Sequence, residues 1–135
     1  MKSILFSLLI LFTVNVSAIS WKKVGQNKEG SSFYFDVESI KQSNGSIYYL
    51  SLVTYIELTK IGTHSNISEY KVDCFSEKQT WLSNTFYSQP MATGKIITEA
   101  VPVWNHYGST LNEIRNLTTG SIEHQILKEV CDYLK

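Results

Sequence analysis

The sequence has little proline, little cysteine and no excess of charge of either sign. Only 2 of its 135 residues are proline and 7 are glycine, which excludes the collagen-like and low-complexity classes. Twelve basic and twelve acidic residues cancel to a formal charge of zero. This balance argues against a dedicated nucleic-acid binder, because such a protein needs a basic surface to neutralise phosphates. The length and the 43% hydrophobic content instead predict one globular domain.

Motifs of enzymatic and metal chemistry are also missing from the sequence. The three histidines, His64, His106 and His124, are too far apart for an HExxH site, and there is no CxxC pair. No G-x-S-x-G motif occurs, and the Ala-Thr-Gly-Lys segment at residues 92–95 lacks the first glycine of a phosphate-binding loop. Pairs of carboxylates are expected by chance in a domain with twelve acids. We therefore predict no enzyme, no catalytic residue, no metal site and no cofactor.

Residues 1–18 have the pattern of a cleavable export signal. A lysine at the second position precedes an apolar stretch, and small residues end the segment at Ala18. The apolar stretch is shorter than the about 20 residues that span a bilayer, and no later stretch is long enough either. We predict cleavage between Ala18 and Ile19, a mature domain of residues 19–135 and no membrane span. An uncleaved anchor and an N-terminal hydrophobic strand are the alternatives.

Export would place the two cysteines, Cys74 and Cys131, in an oxidising compartment. An even number of cysteines there predicts a disulfide, and two cysteines allow one intramolecular pairing. Two buried free thiols are the alternative. Because the first cysteine lies far beyond Ala18, no lipid-carrying cysteine would begin the mature chain. We therefore predict an exported protein without a lipid anchor, periplasmic or secreted, and leave display on the cell surface open.

Alternating and apolar segments predict a mainly antiparallel sheet of about six strands. The strongest hairpin signal is Asn44-Gly45, because both residues tolerate the positive φ of a tight turn. Residues 47–58 are apolar on both faces, which predicts a long central strand. Alternation within residues 68–75 places Cys74 on the buried face of its strand. Further strands are predicted at residues 21–24, 32–35, 79–87 and 95–103.

Two short segments complete this pattern. Asp36 is positioned as the N-cap of one helical turn at residues 36–40. Lys22-Lys23 marks a strand at an edge of the sheet, because charge discourages pairing with another chain. Residues 105–119 have no clear period and are predicted to be a connection, with one or two helical turns within residues 111–117.

The C-terminal segment changes to the 3.6-residue period of a helix. Its polar face carries residues such as His124, and Thr119 or Ser121 can cap its N-terminus. Cys131 lies within the apolar stripe, so a bridge to Cys74 would hold the helix on the sheet. The apolar stripe comprises Ile122, Ile126, Leu127, Val130, Cys131 and Leu134. The predicted fold is an α+β domain with its C-terminal helix packed on one face of the sheet and tethered by a disulfide.

A set of aromatic, glycine and cysteine positions occurs in a distinctive order along the chain. In chain order the set is Trp21, Phe33-Tyr34-Phe35-Asp36 with Ser39-Ile40, Val72-Asp73-Cys74, Tyr87-Ser88, Met91, Gly94-Lys95, Trp104, Gly120-Ser121 and Val130-Cys131. This order resembles the surface-adhesin protein E family of exported bacterial proteins, and the resemblance runs over nearly the whole mature chain.

The resemblance implies an antiparallel sheet with a C-terminal helix held on its concave face by the Cys74–Cys131 bridge. It also implies a non-enzymatic binding protein whose partners are host or envelope macromolecules, such as protein or matrix ligands. It assigns no ligand-binding residues, which therefore remain unknown. The alternative is a periplasmic structural or envelope-associated protein with no adhesive role.

The predicted central strand raises the question of assembly. One C-terminal helix covers only one of the two apolar faces of residues 47–58. The other face needs a lid from residues 105–119, a ligand or a second copy of the chain. We predict a weak homodimer, which sedimentation velocity at micromolar concentration would detect.

Overall fold

A computed structural model describes residues 19–100 and 114–135. The predicted signal segment, residues 1–18, lies outside the described residues, so only Ile19 of the predicted cleavage site is described. Within them, eight strands form one antiparallel sheet that is followed by an α-helix. The elements are β1 (Trp21–Gln26), β2 (Ser32–Asp36), β3 (Lys41–Ser43), β4 (Ser46–Thr54), β5 (Ser65–Asp73), β6 (Lys78–Gln89), β7 (Thr93–Ala100), β8 (Ile114–Asn116) and α1 (Ile122–Asp132), with short 3-10 turns at Val37–Ser39 and Pro90–Ala92.

The sheet has a main path of six strands in the order β1-β2-β4-β5-β6-β7. Two three-residue strands extend it: β3 pairs with residues 46–48 of β4, and β8 pairs with residues 78–80 of β6. Every pairing is antiparallel. This topology confirms the predicted fold class. It also confirms that the strand carrying Lys22 and Lys23 is at an edge.

The central strand is shorter than predicted. β4 ends at Thr54, and the chain then leaves the sheet until Ser65. The amide of Tyr55 donates to the carbonyl of His64, so the loop between them is closed at its base. Ile56 is 69% exposed, so its apolar side chain is not part of a buried strand. The prediction of a strand through residue 58 is therefore wrong beyond Thr54. Apolar residues at a loop surface have the same composition as a buried strand, and only long-range pairing distinguishes them.

The hairpin predicted at Asn44-Gly45 and the N-cap predicted at Asp36 are both confirmed. Asn44 and Gly45 have φ values of 51° and 79° and form the two-residue hairpin between β3 and β4. The side chain of Asp36 accepts a hydrogen bond from the Glu38 amide at 3.1 Å and caps the 3-10 turn after β2. These short-range features connect β2, β3 and β4 and set the register in which they pair.

Substitution of Gly94 by alanine is expected to destabilise the hairpin between β6 and β7. Gly94 has φ +78°, and a Cβ there would lie 2.5 Å from Ser88 Oγ. Gly45 has nearly the same φ but open space around it, so it is the matched control. We expect Gly45→Ala to cost about 1 kcal/mol from the left-handed backbone alone and Gly94→Ala roughly twice that. Urea unfolding of both variants measures the difference, and equal losses would contradict the predicted clash.

Helix α1 packs its apolar stripe on the sheet. Ser121 is the N-cap, and its hydroxyl accepts a hydrogen bond from the His124 amide at 3.1 Å. The helix residues Ile126, Leu127 and Val130 are at most 2% exposed. They share a core with β2, β4 and β5, whose buried members are Phe33, Phe35, Ile47, Tyr49 and Val72. Cys131 is bonded to Cys74 just beyond the end of β5, with a Cα–Cα distance of 5.9 Å, so the bridge joins the helix to the sheet as predicted.

Two predictions about the C-terminal half are wrong. His124 is not on an exposed polar face but is 7% exposed, because the turn after β5 places Glu77 against its ring. Residues 114–116, predicted within helical turns, form β8, because they pair with β6. The ends of two other predicted segments, residues 101–103 of the last strand and residues 105–113 of the connection, lie outside the described residues.

The helix covers the face of β4 that carries Tyr49, which is 2% exposed. On the opposite face Leu52 is fully buried and Leu50 is half-buried. This second face is therefore less open than the sequence predicted. The homodimer stays a prediction.

The contact of Glu77 with α1 predicts a loss of stability in acid. Glu77 lies 2.8 Å from His124 Nε2 and 3.3 Å from Lys128 Nζ, and these hydrogen bonds lower the pKa of Glu77, that from His124 most. Because the folded-state pKa lies below the unfolded value of about 4.3, the stabilisation is full above that pH and is lost as pH falls through the folded pKa.

We therefore expect the free energy of unfolding to fall more steeply between about pH 5 and pH 3 in the natural protein than in Glu77→Gln. Urea unfolding over a pH series measures both slopes. The pKa of Asp73 is also lowered, mainly by hydrogen bonds from Ser76, but Asp73 is present in both proteins and cancels in the comparison. Parallel pH curves would contradict the role of Glu77.

Candidate functional site

A cavity of about 280 Å³ opens between the sheet and the first turns of α1. Aromatic and aliphatic side chains make up much of its wall, together with neutral polar side chains and one carboxylate. The lining residues, among those described, are Phe33, Tyr49, Ser51, Val53, Tyr55, Asn66, Ser68, Tyr70, Gln79, Asn84, Phe86, Glu123 and Ile126. The size and the mixture of apolar walls with a few polar groups are typical of a small-ligand site.

Strand alternation positions most of these side chains. In β4, Tyr49, Ser51 and Val53 lie on the helix side, as every second residue of a strand does. In β5, Asn66 and Ser68 lie on the same side. Polar residues therefore occupy strand positions that continue directly from the apolar core, and this interruption of the apolar pattern is the signal by which the sequence could have indicated the site.

A β-bulge in β6 completes the lining. Glu69 pairs with Ser83 but its neighbour Tyr70 pairs with Trp81, so β6 has one extra residue at this point. Before the bulge, odd-numbered residues of β6 face the helix side of the sheet; after it, even-numbered residues do. As a result Gln79 and Asn84, which are an odd number of residues apart, both line the cavity.

Hydrogen bonds organise the polar part of the wall. The Tyr49 hydroxyl donates to Gln79 Oε1 at 2.6 Å, and the Tyr55 hydroxyl donates to Asn66 Oδ1 at 2.6 Å. Asn66 Nδ2 donates to Ser68 Oγ at 3.0 Å, and the Ser68 hydroxyl donates to the side-chain carbonyl of Asn84. These polar groups are deeply buried, since Asn66 and Ser68 are only 6% and 4% exposed. The network satisfies groups whose burial would otherwise be costly.

The two tyrosines act as neutral donors. Burial raises the pKa of Tyr49 well above its ordinary value, and Tyr70 and the Glu123 carboxylate raise it further. Burial also raises the pKa of Tyr55, followed by the effect of Tyr70. Both phenols therefore keep their protons at neutral pH, and Glu123 is close enough to Tyr49 to act on its titration.

A second cavity of about 280 Å³ shares part of this wall. Tyr70, Gln79, Asn84 and Glu123 line both spaces, and Trp81 lines the second one. The Trp81 indole nitrogen is buried and has no hydrogen-bond partner among the described residues. Gln79 and Asn84 of the polar network therefore border two adjoining spaces beneath the N-terminal part of α1.

The residues singled out from the sequence lie elsewhere. Cys74 and Cys131 join near the C-terminal part of α1, eight residues along the helix from Glu123. Ile19, at the predicted cleavage site, is exposed at the start of the described chain. Within residues 19–100 and 114–135, no group of three or more His, Cys, Asp or Glu side chains could hold a metal ion. In the same ranges no helix is both long and apolar enough to cross a membrane.

Comparison with protein families identifies the chain by its sequence. The sequence model described as Surface-adhesin protein E matches residues 21–132. The chain belongs to the surface-adhesin protein E family. The match spans every described strand and α1, and it confirms the resemblance found in the sequence. Family membership indicates an adhesin-like binding role for a non-enzymatic protein.

Solved structures of the family have the same fold. Haemophilus influenzae protein E in crystal form II matches with a TM-score of 0.57 and 19% identity over 84% of this chain and 90% of that chain. Protein E from non-typeable Haemophilus influenzae matches with a TM-score of 0.58 and 15% identity over 86% of this chain and 79% of that chain. At these identities the similarity shows the fold alone. Comparison with curated protein sequences found no significant match.

Proposed function

We propose that this protein is an exported, adhesin-like binding protein whose partner is a host or envelope macromolecule. The observation that carries the proposal is the family match over residues 21–132, which includes both bridged cysteines. A disulfide is itself typical of proteins that leave the reducing cytoplasm. The partner would be a protein or a matrix component, and no cofactor is part of the proposal.

Export by cleavage between Ala18 and Ile19, without a lipid anchor, is part of the same proposal. Cleavage there would retain the contacts that Ser20 makes with the end of β2 and the 3-10 turn after it. The Ser20 amide donates to Asp36 Oδ1 at 3.0 Å, and the Ser20 carbonyl accepts from the Val37 amide at 3.1 Å. Ile19 is exposed, so cleavage before it would leave these contacts in place.

The proposal is tested by following the full chain in bacterial cells. We expect the mature protein to begin at Ile19 by mass spectrometry, to be digested by protease added to intact cells, and to bind immobilised matrix proteins. Ala18→Arg is the control for processing, because a large charged residue at the last position of a signal prevents cleavage. Material that is strictly periplasmic and binds no matrix protein would contradict the adhesive role and favour the structural alternative.

A further inference from the structure

The charged and polar groups that line the cavity beneath α1 indicate what kind of ligand it would bind. Among the described lining residues, Glu123 is the one charged side chain, and none is basic. Glu123 makes no ion pair or hydrogen bond with any described residue. It lies in the first turn of α1, where the positive end of the helix dipole favours an acidic side chain. The dipole alone does not account for the cavity that Glu123 lines.

The directions of the hydrogen bonds add to this character. Tyr49 and Tyr55 each donate their proton to an amide oxygen within the wall. Their phenol oxygens therefore retain lone pairs, and their rings stand beside that of Phe86 around the same space. Carboxylate and phenol oxygens accept hydrogen bonds, and aromatic faces attract positive charge. The Glu123 carboxylate, the phenol oxygens and the aromatic faces of the wall therefore favour a cation.

We propose that this cavity binds a small organic cation, a primary or methylated ammonium compound, with the ammonium group between Glu123 and the tyrosine rings. The volume of about 280 Å³ equals that of about nine water molecules and accommodates a molecule of the size of choline, whereas a peptide is too large. The amide groups of Gln79 and Asn84 lie in the same wall and would bind a hydroxyl group of the ligand. The proposal does not depend on the adhesin-like role.

The test uses choline and its uncharged isostere, in which a tert-butyl group replaces the trimethylammonium group. Both have the same shape, so the comparison isolates the charge. In nitrogen-15 spectra of the oxidised protein we expect choline to shift amide signals around the cavity with an affinity roughly fivefold or more above that of the isostere. Glucose, a neutral polar probe of similar size, is expected to bind no better than the isostere.

Glu123→Gln keeps the shape of the side chain and removes its charge. Because Glu123 is exposed, the variant is expected to fold, and its spectrum verifies this. We expect it to weaken choline binding by up to about fivefold, the effect of losing one exposed ion pair, and to leave the isostere unaffected. Glu99→Gln, the same change at an exposed position of β7, is the matched control and should change neither.

Tyr55 provides a second, independent variant pair. Tyr55→Phe retains the ring face and should keep choline binding, whereas Tyr55→Leu should lose most of it. Equal affinities for choline and its isostere would overturn the proposal. Binding of glucose in preference to choline would overturn it in favour of a sugar site, and no shift of cavity signals with choline at about 50 mM would overturn it outright.

Discussion

Replacing Cys131 with serine is expected to lower the free energy of unfolding by about 4 kcal/mol. The bridge to Cys74 closes a loop of 57 residues, and the unfolded chain gains the corresponding freedom when the bridge is removed. A domain of this size has a total stability of about 5 to 15 kcal/mol, so the loss is a large fraction of it. Urea unfolding of the oxidised protein and the variant measures this difference.

The position of the bridge predicts which part of the fold loses stability first when the bridge is removed. Among described residues, β1 and β2 are the strands that α1 contacts most, and the bridge ties the C-terminal part of the helix to the end of β5. Hydrogen exchange should therefore rise in α1 before it rises in β4 and β5. The natural protein treated with reductant is the control and should match Cys131→Ser. Equal stability of oxidised and reduced protein would show that the bridge contributes nothing.

Phe35→Ala is expected to cost about 3 to 5 kcal/mol, because it empties a fully buried site in the core. Phe35 is 0% exposed and belongs to the core that β2 shares with α1. Its ring meets that of Tyr133 edge-on with centroids 5.9 Å apart, and Lys22 Nζ lies 5.7 Å from its centre. The substitution therefore removes buried area, an aromatic pair and the surface on which the Lys22 side chain rests.

Phe75→Ala is the matched control for this substitution. Phe75 lies in the turn after β5 and is fully exposed, so the same change removes no buried contact there. We expect its effect to remain within about 0.5 kcal/mol. Thermal and urea unfolding of the two variants measure the contrast. A small loss in Phe35→Ala, or equal losses in both, would contradict the assignment of Phe35 to the core.

The fold was largely predictable because its main signals are local. The hairpin at Asn44-Gly45 depends on two residues that tolerate positive φ, and α1 depends on a stripe with helical spacing. Strand alternation placed Cys74 toward the helix, and the presence of two cysteines left one intramolecular pairing. Each of these patterns lies within a short segment, so it can be recognised without knowledge of the rest of the chain.

The candidate site was not predictable in the same way. Ser51, Asn66 and Ser68 interrupt apolar alternation, but a polar residue in a strand is equally typical of a solvent-facing side. The wall also requires Gln79 and Asn84 on one face, which strict alternation forbids. The β-bulge in β6 that allows it is a property of pairing with β5, not of β6 itself.

The sequence by itself thus determined the family, the sheet-and-helix architecture, the disulfide partners and the amphipathic character of α1. The tertiary structure alone decided where β4 ends, that His124 is buried against Glu77, and that a polar cavity lies under the first turns of α1. The physical reason is the distance along the chain. Glu77 and His124 are 47 residues apart, and the cavity joins residues from Phe33 to Ile126, so these contacts exist only after the sheet has set its register and the helix has packed on it.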